Sequence, residues 1–331
     1  MEIMGVKIVV IGGGTGSFTL LRGLKNYTQH ITALVSMADD GGSTGQLRDE
    51  LGVLPPGDVR QCLVALSESP RTRDLFNYRF EDGVLAGHAF GNLFMAALEK
   101  MTGSFADAVE EASRVLNIVG HVEPVTLDEV TLVIETPDGA QMRGQYAIKT
   151  MNFAEQRPSV RLDPLPTLNP AAKEAIELAD IVVIAPGDLY GSLAPALVVP
   201  GMSEALNTTK AKKVYVSNLV TKPGQTDGFE VQDFAAEIER FGDFTLDFVL
   251  YNEETPSPEL IERYAKDKEQ PVGIDKVALK AAHYEIKGGQ FLSGDFVAYN
   301  SSESDPIAST RTLIRHDSDA VARAIMKLYF S

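Results

Sequence analysis

A strand, a glycine cluster and a helix follow one another at the start of the chain. The β-branched run at residues 6–11 leads into the sequence GGGTGS at 12–17, and apolar residues at helical spacing come next. Backbone N–H groups at such a helix start can bind an anion, and glycines let a phosphate come close. The predicted contacts to a phosphate-bearing ligand are Gly13, Gly14, Thr15 and Gly16.

The glycine cluster has an alternative, purely structural explanation. The same glycines would be needed if the segment only formed a tight turn between a buried strand and its helix. The third position of the G-x-G-x-x-G pattern is Ser17 rather than Gly or Ala, so the match to a dinucleotide fingerprint is incomplete. No Gly-Lys-Ser/Thr follows, which excludes a P-loop.

Charge and cysteine content restrict the classes of partner. The 331 residues carry a formal net charge of −16, which argues against binding to nucleic acid or to an anionic membrane surface. Cys62 is the single cysteine, so no intrachain disulfide or cysteine-based metal cage is expected, and a cytoplasmic location fits. The first apolar run is short for a signal peptide, and the apolar stretch at 181–200 is interrupted by Pro and Gly, so we expect no membrane insertion.

Further apolar runs alternate with helical patterns along the chain. Strands are predicted at 31–36, 181–185, 214–218 and 246–252, with helices between them. This order predicts an α/β, three-layer Rossmann-like fold, with a mostly parallel sheet and helices on both faces. Residues 121–165 change to a strand period around a Pro-Asp-Gly turn, so we expect a small β-rich insertion within a single domain spanning 1–331.

Asp39 and Asp40 follow the second predicted strand, where ligands bind in open parallel sheets. One carboxylate could accept a hydrogen bond from a ribose hydroxyl, or the pair could hold Mg²⁺ through oxygen ligands. The stretch at 39–43 is also typical of a turn.

Two candidates lie on the helices that come next. Asp58 is a predicted N-cap, and Arg60 lies in the first turn after it, where it could bind a phosphate or carboxylate or simply be exposed. Asn92, after a second glycine-rich turn, could cap a helix or contact a ligand. His88 beside it is interpreted as structural rather than catalytic.

Polar and glycine-rich loops recur after the later strands, which favours one shared cleft. The candidates there are Gly187, Leu189, Tyr190, Asn218 and Thr221. Tyr264, on a short predicted helix at 258–265, could pack its ring in the core or stack on a base.

Several motifs occur in an order that resembles a known family. They are GGGTG at 12–16, ADDGGS at 38–43, PPGD at 55–58 with Arg60, GH at 87–88 with GNL at 91–93, and PG at 186–187 with LY at 189–190. Together they resemble the YvcK family of gluconeogenesis factors, which is related in fold to CofD, the 2-phospho-lactate transferase. The resemblance covers nearly the whole chain.

The resemblance implies a nucleotide in the cleft, chiefly UDP-N-acetylglucosamine, sensed to control carbon flow, gluconeogenic growth, the cell envelope and cell shape. It also implies that Tyr264 contacts the ligand. Regulatory protein partners are expected, self-association into a homo-oligomer is left open, and sensing without turnover is favoured. One alternative is a CofD-like transferase that uses Mg²⁺ at Asp39 and Asp40. The first strand and glycine loop alone would instead indicate a nicotinamide dehydrogenase, or a protein that binds NAD without oxidoreduction.

Two residues depart from the family pattern. Asp188 stands where the family has Ser, and its carboxylate would repel a diphosphate. Lys222 stands where the family has Gln, and we hypothesise that it offsets this charge.

Overall fold

Ten strands form two sheets in the computed structural model, which describes residues 5–148, 151–153, 156–294 and 314–330. In chain order they are β1 (Ile8–Ile11), β2 (Ile31–Val35), β3 (His121–Pro124), β4 (Thr131–Glu135), β5 (Gln141–Arg143), β6 (Ser159–Asp163), β7 (Ile181–Ile184), β8 (Lys212–Val216), β9 (Phe248–Asn252) and β10 (Glu285–Gly289). Seven of them form a parallel sheet in the order β10-β9-β8-β7-β1-β2-β3, and the antiparallel sheet has the order β5-β4-β6.

Helices connect the strands and cover both faces of the large sheet. They are α1 (Gly14–Leu24), α2 (Gly42–Leu51), α3 (Gly57–Leu66), α4 (Pro70–Asn77), α5 (Phe90–Thr102), α6 (Phe105–Leu116), α7 (Gln145–Ile148), α8 (Pro170–Leu178), α9 (Ala194–Leu197), α10 (Met202–Thr208), α11 (Val231–Gly242), α12 (Pro258–Lys266), α13 (Lys276–Ala281) and α14 (Ser318–Tyr329). A 3₁₀ turn spans Gly83–Leu85 and a π-helical turn spans Leu189–Leu193. Among the described helices none has the length and apolar character needed to cross a membrane.

The side chains of β1 alternate between two hydrophobic cores, as a strand buried on both faces requires. Ile8 and Val10 pack with α1, α3, α6 and α14 on one face. Val9 and Ile11 pack on the other face with α8, α10, α11 and the inner side of the small sheet. This arrangement confirms the predicted three-layer Rossmann-like fold.

The strand order reverses between β1 and β7, which are adjacent and parallel. Ile11 is in register with Ile184, so both strands end at the same level. A Cβ on Gly16 would lie 1.7 Å from the carbonyl oxygen of Pro186, which measures how closely the two following loops approach. A parallel sheet has its ligand crevice at such a switch point.

Some predicted boundaries differ from the structure. Residues 121–124 pair with β2 in the large sheet, so the small sheet starts at Thr131 rather than near 121. The strand predicted after the Pro-Asp-Gly turn ends at Arg143, where Gly144, with a φ of 91°, turns the chain into α7. Asp58 is not the N-cap of α3. Pro56 takes that position and Asp58 lies inside the first turn.

Candidate functional site

A cleft of about 330 Å³ opens at the carboxyl ends of β1, β7 and β8. Four segments form most of its wall: the glycine loop (residues 13–16), the β7 loop (186–188), the β8 loop (218–222) and the C-terminal segment (314–316). The cleft therefore occupies the switch point. The predicted ligand residues that line it are Gly13, Gly14, Thr15, Gly16, Gly187, Asn218 and Thr221.

The glycine loop presents the N-terminus of α1 to the cleft. Gly13 is the N-cap residue and has no side chain with which to cap this end of the helix. Gly14 has a φ of 64°, a conformation that favours glycine. A glycine-rich helix start of this kind attracts an anion through its backbone N–H groups and its dipole.

One carboxyl group lies directly against the glycine loop. A Cβ on Gly13 would lie 2.0 Å from Oδ2 of Asp58, and Asp58 accepts a hydrogen bond from the Gly14 backbone N–H. Burial, with a further contribution from the negative charge of Asp39, raises the pKa of Asp58 to about 7. A proton can therefore enter or leave this site near neutral pH, beside the predicted phosphate position.

The side chain of Asn218 fixes the β7 loop. Its Oδ1 accepts hydrogen bonds from the Gly187 N–H (3.3 Å) and the Tyr215 hydroxyl (3.1 Å), and its Nδ2 donates to the Gly187 carbonyl (2.8 Å). Asn218 thus sets the orientation of two successive peptide groups at the cleft. Thr221 is 4% exposed, and its Oγ1 accepts from the Gln270 N–H (3.2 Å), which holds the β8 loop.

Charged groups of both signs line the cleft. Lys222 forms an ion pair with Asp188, whose carboxylate also accepts from the Gly191 N–H (3.1 Å). The ion pair brings Lys222 next to Asp188, as the hypothesis of charge compensation requires. Arg315 adds a further cation, and Glu269 adds a carboxyl whose pKa is raised by burial and by the charge of Asp267.

His316 is a cleft residue that the sequence analysis did not identify. It is 7% exposed, and burial lowers its pKa to about 4, against a smaller opposing effect of a hydrogen bond to the Ser217 backbone. No local motif marks this residue. Only the fold brings the segment before α14 next to the end of β8.

Asp39 and Asp40 are held by different parts of the chain. Asp39 accepts from the Gly41 N–H (3.0 Å), whereas Asp40 accepts from the Tyr146 N–H (2.7 Å) in the small insertion. Within the described residues, no group of three or more His, Cys, Asp or Glu side chains is arranged to hold a metal ion. Mg²⁺ is often bound by one or two carboxylates together with waters and phosphates, so the Mg²⁺ site at Asp39 and Asp40 stays a prediction.

Arg60 and Asn92 lie outside the lining of the cleft. Both are buried, at 6% and 4% exposure, and Arg60 Nε donates to Asn92 Oδ1 (2.9 Å) while its Nη1 donates to Asn77 Oδ1 (2.7 Å). Asn92 donates in turn to Ser43, which is hydrogen-bonded to His88. The network joins helices α2 to α5.

Leu189, Tyr190 and Tyr264 are also buried behind the cleft wall. Tyr190 is fully buried, and its hydroxyl donates to Glu237 (3.3 Å) in the core. The Tyr264 hydroxyl accepts from the Ile314 N–H (3.0 Å), and its ring packs in the cluster with Ile314. Tyr264 therefore supports the wall at the C-terminal segment.

Comparison with known proteins identifies close relatives. The family model described as 2-phospho-L-lactate transferase CofD matches residues 8–292. The gluconeogenesis factor of Halalkalibacterium halodurans is 42% identical over 326 residues, covering 97% of this chain and 96% of that protein. The gluconeogenesis factor of Bacillus subtilis is 38% identical over 328 residues, covering 97% and 98%. A crystal structure of a UPF0052 family member from Bacillus halodurans superposes with a TM-score of 0.88 at 39% identity, covering 98% of this chain and 100% of that one.

Proposed function

Because this chain belongs to the CofD family, in the branch of the gluconeogenesis factors, we propose that it regulates gluconeogenic carbon flow by binding a nucleoside diphosphate sugar. The proposed ligand is UDP-N-acetylglucosamine, and its site is the cleft at the switch point between β1 and β7. The observation that carries the proposal is the glycine-rich N-terminus of α1, which lines this cleft. The cell envelope and cell shape are the processes that such a sensor would adjust, through protein partners.

The chemistry of the wall supports a diphosphate. Backbone N–H groups of the glycine loop can donate to phosphate oxygens, and Arg315 supplies a positive charge in the lining of the same cleft. Lys222 balances Asp188, so the β7 loop adds little net negative charge. The diphosphate then bridges the glycine loop and the C-terminal segment, and the sugar and base extend to either side.

Calorimetric titration tests this proposal with UDP-N-acetylglucosamine, UDP, uridine and NAD. We expect saturable binding of UDP-N-acetylglucosamine and UDP and none of uridine, because the phosphates carry much of the interaction. A ligand present at a hundred times its Kd stabilises the fold by about 2.7 kcal/mol, so the melting temperature rises as well. Tight binding of NAD with none of UDP would favour the dinucleotide alternative.

The variant Asn218→Asp serves as the site-specific probe. It turns an amide donor into a carboxylate facing the Gly187 carbonyl and places a negative charge at the cleft. We expect at least a tenfold loss of affinity for UDP-N-acetylglucosamine. Tyr190→Phe is the control, since its hydroxyl bonds to Glu237 in the core, and it should bind as the wild type does. No binding of any nucleoside diphosphate sugar to the wild type at millimolar concentration would contradict the proposal.

A transferase is the second candidate, because the matching family model is that of a transferase and covers residues 8–292. Sensing predicts that UDP-N-acetylglucosamine is recovered intact after long incubation with the protein. Mass spectrometry of the mixture, with and without Mg²⁺, separates the two functions. Metal-dependent consumption of the nucleotide sugar would favour the transferase.

A further inference from the structure

A buried polar atom without a partner lies in the wall of the cleft. Across the described segments of the chain, Nε2 of His316 finds no hydrogen-bond partner, and the side chain is 7% exposed. A buried polar atom in this state costs free energy, so most are satisfied in native proteins. His316 lines the cleft, so a ligand bound there is the candidate partner for this nitrogen.

The backbone around His316 is fixed before any ligand arrives. His316 pairs with Leu292 in an antiparallel bridge. The Ser293 N–H donates to the Arg315 carbonyl (2.9 Å), and the Asp317 N–H donates to the Phe291 carbonyl (2.7 Å). The backbone that carries the ring is therefore held on both sides, which favours a preorganised recognition group.

The hydrogen bonds of the ring define which nitrogen carries the proton. Burial lowers the pKa of His316 to about 4, so the ring is neutral at physiological pH. The hydrogen bond between the ring and the Ser217 backbone acts in the other direction and raises the pKa of His316. A bond that stabilises the protonated ring is one in which the imidazole donates, so its acceptor is the Ser217 carbonyl. Since Nε2 has no partner, we assign the donor role to Nδ1, which leaves a lone pair on Nε2.

We propose that His316 determines ligand specificity by accepting, at Nε2, a hydrogen bond from a donor group of the bound nucleotide sugar. The donor is a hydroxyl of the ribose or sugar, or an N–H of the base. This inference rests on the proposed function, because it concerns the same cleft. A neutral ring adds no attraction for phosphate, so His316 selects among ligands that all carry a diphosphate.

Two substitutions at one position separate hydrogen bonding from packing. His316→Leu removes the acceptor and keeps an apolar side chain, whereas His316→Gln can place its amide oxygen near the position of Nε2. We expect the Leu variant to bind UDP-N-acetylglucosamine about 10- to 100-fold more weakly, as for a lost buried hydrogen bond. The Gln variant should stay within about fivefold of the wild type, since an acceptor is retained.

Ligand analogues then locate the donor. The probes are UDP, the 2′-deoxyribose analogue of UDP-N-acetylglucosamine and its N3-methyluracil analogue, which lack the sugar hydroxyls, the ribose 2′-hydroxyl and the base N–H respectively. The analogue that lacks the right donor should bind the wild type and His316→Leu equally, while the others lose affinity in the variant. Calorimetry at one pH and one ionic strength gives all the affinities on a common scale.

The outcomes distinguish this inference from the proposed function. If His316→Leu binds UDP-N-acetylglucosamine as tightly as the wild type does, the inference alone is overturned. It is also overturned if the variant loses the same affinity for inorganic pyrophosphate, which carries no ribose, sugar or base. Absence of nucleotide-sugar binding by the wild type would overturn the proposed function and the inference with it. Nitrogen NMR of the wild type provides a measurement that needs no variant. We expect an unprotonated Nε2 at neutral pH, and a protonated Nε2 would contradict the assignment.

Discussion

Ser17 is 1% exposed in the first turn region of α1, and its Oγ has no hydrogen-bond partner in the part of the chain that the structure describes. A dinucleotide fingerprint has Gly or Ala at this position. Burial of the hydroxyl costs desolvation free energy that no hydrogen bond offsets. We therefore expect Ser17→Ala to stabilise the fold by about 1 kcal/mol. Urea unfolding followed by circular dichroism measures the change.

Ser67 provides the matched control for this substitution. It is fully buried, its hydroxyl donates to the Leu116 carbonyl (2.6 Å), and its Oγ accepts from the Ser69 N–H (3.1 Å). Ser67→Ala should therefore destabilise the fold by about 1–2 kcal/mol. An equal loss of stability in Ser17→Ala would show that the Ser17 hydroxyl is bonded after all.

Asp58 makes stability depend on pH in the opposite direction from a salt-bridged carboxylate. Its pKa rises from an ordinary value near 3.8 to about 7, so between these values the folded state binds the proton more tightly than the unfolded state. Stability attributable to this group therefore falls as pH rises from about 4 to 7 and stays low above that. The charges facing it are Asp39, Asp188 and, with the opposite effect, Arg60.

The substitution Asp58→Asn removes this dependence. We expect the variant to match the wild type near pH 4 and to be more stable above pH 7, by up to about 4 kcal/mol. This limit follows from ~1.4 kcal/mol for each unit by which folding raises the pKa of Asp58. The amide oxygen can still accept from the Gly14 N–H. Unfolding free energies at pH 4, 6 and 8 provide the measurement. A constant difference between the two proteins at all three pH values would show that Asp58 does not titrate in this range.

At the scale of elements, the β7 and β8 loops are joined by the ion pair of Asp188 and Lys222. Lys222→Ala leaves the carboxylate unbalanced near the diphosphate, and we expect about a tenfold loss of UDP-N-acetylglucosamine affinity at low salt. Asp188→Asn keeps an acceptor for the Gly191 N–H and removes the charge. Adding Asp188→Asn to Lys222→Ala should therefore restore most of the affinity in calorimetry. Unchanged affinity in Lys222→Ala would rule out the compensating role.

Gly23 lies where α1 packs against the start of α14. A Cβ at this position would lie 1.9 Å from the Ser318 carbonyl oxygen, although helix propensity alone favours Ala by about 1 kcal/mol. We expect Gly23→Ala to destabilise the fold by about 2 kcal/mol or more, because the helices must separate. Gly294→Ala is the control, since no described atom lies within 4 Å of its Cβ position, and it should change stability little. Thermal unfolding shows whether Gly23→Ala is less or more stable than the wild type. A more stable variant would exclude the close approach of α1 to the Ser318 carbonyl.

Local patterns predicted the strands and several helices well, because periodicity and caps are properties of neighbouring residues. The strand predicted at 31–36 and the helix predicted at 258–265 match β2 and α12 to within one residue at each end. β10 and α2 were missed, since β10 contains Lys and two glycines and α2 is rich in polar residues and glycine. Local reasoning also placed Tyr190 at the ligand, whereas the π-helical turn directs it into the core.

At the scale of the whole molecule, the cleft depends on segments that are far apart in sequence. Residues 13–16 and 314–316 line the same cleft, and α1 and α14 pack together on one face of the sheet. Sequence patterns indicated that polar loops gather at strand ends, which was enough to predict the glycine loop, Gly187 and Asn218 as neighbours. They could not indicate His316, because its position depends on the bridge to Leu292 rather than on any local signal.

The small sheet shares its core with the large one, which bears on whether the chain behaves as one domain. Ile134 is fully buried in the same hydrophobic cluster as Tyr190 and Phe234. Polar contacts add to this, since Arg157 pairs with Glu237 (2.9 Å). The insertion is therefore expected to unfold together with the rest of the chain rather than before it.

Ile134→Ala tests this cooperativity. The cavity left in the shared core should lower the unfolding free energy by about 2–4 kcal/mol, and the loss should appear in one transition. Val115→Ala is the control, since Val115 is 51% exposed on α6 and should change stability by less than about 0.5 kcal/mol. UDP-N-acetylglucosamine should raise the midpoints of Ile134→Ala and the wild type by the same amount, because binding and unfolding then involve one unit. A separate early transition in Ile134→Ala, with nucleotide binding retained beyond it, would show that the small sheet unfolds on its own.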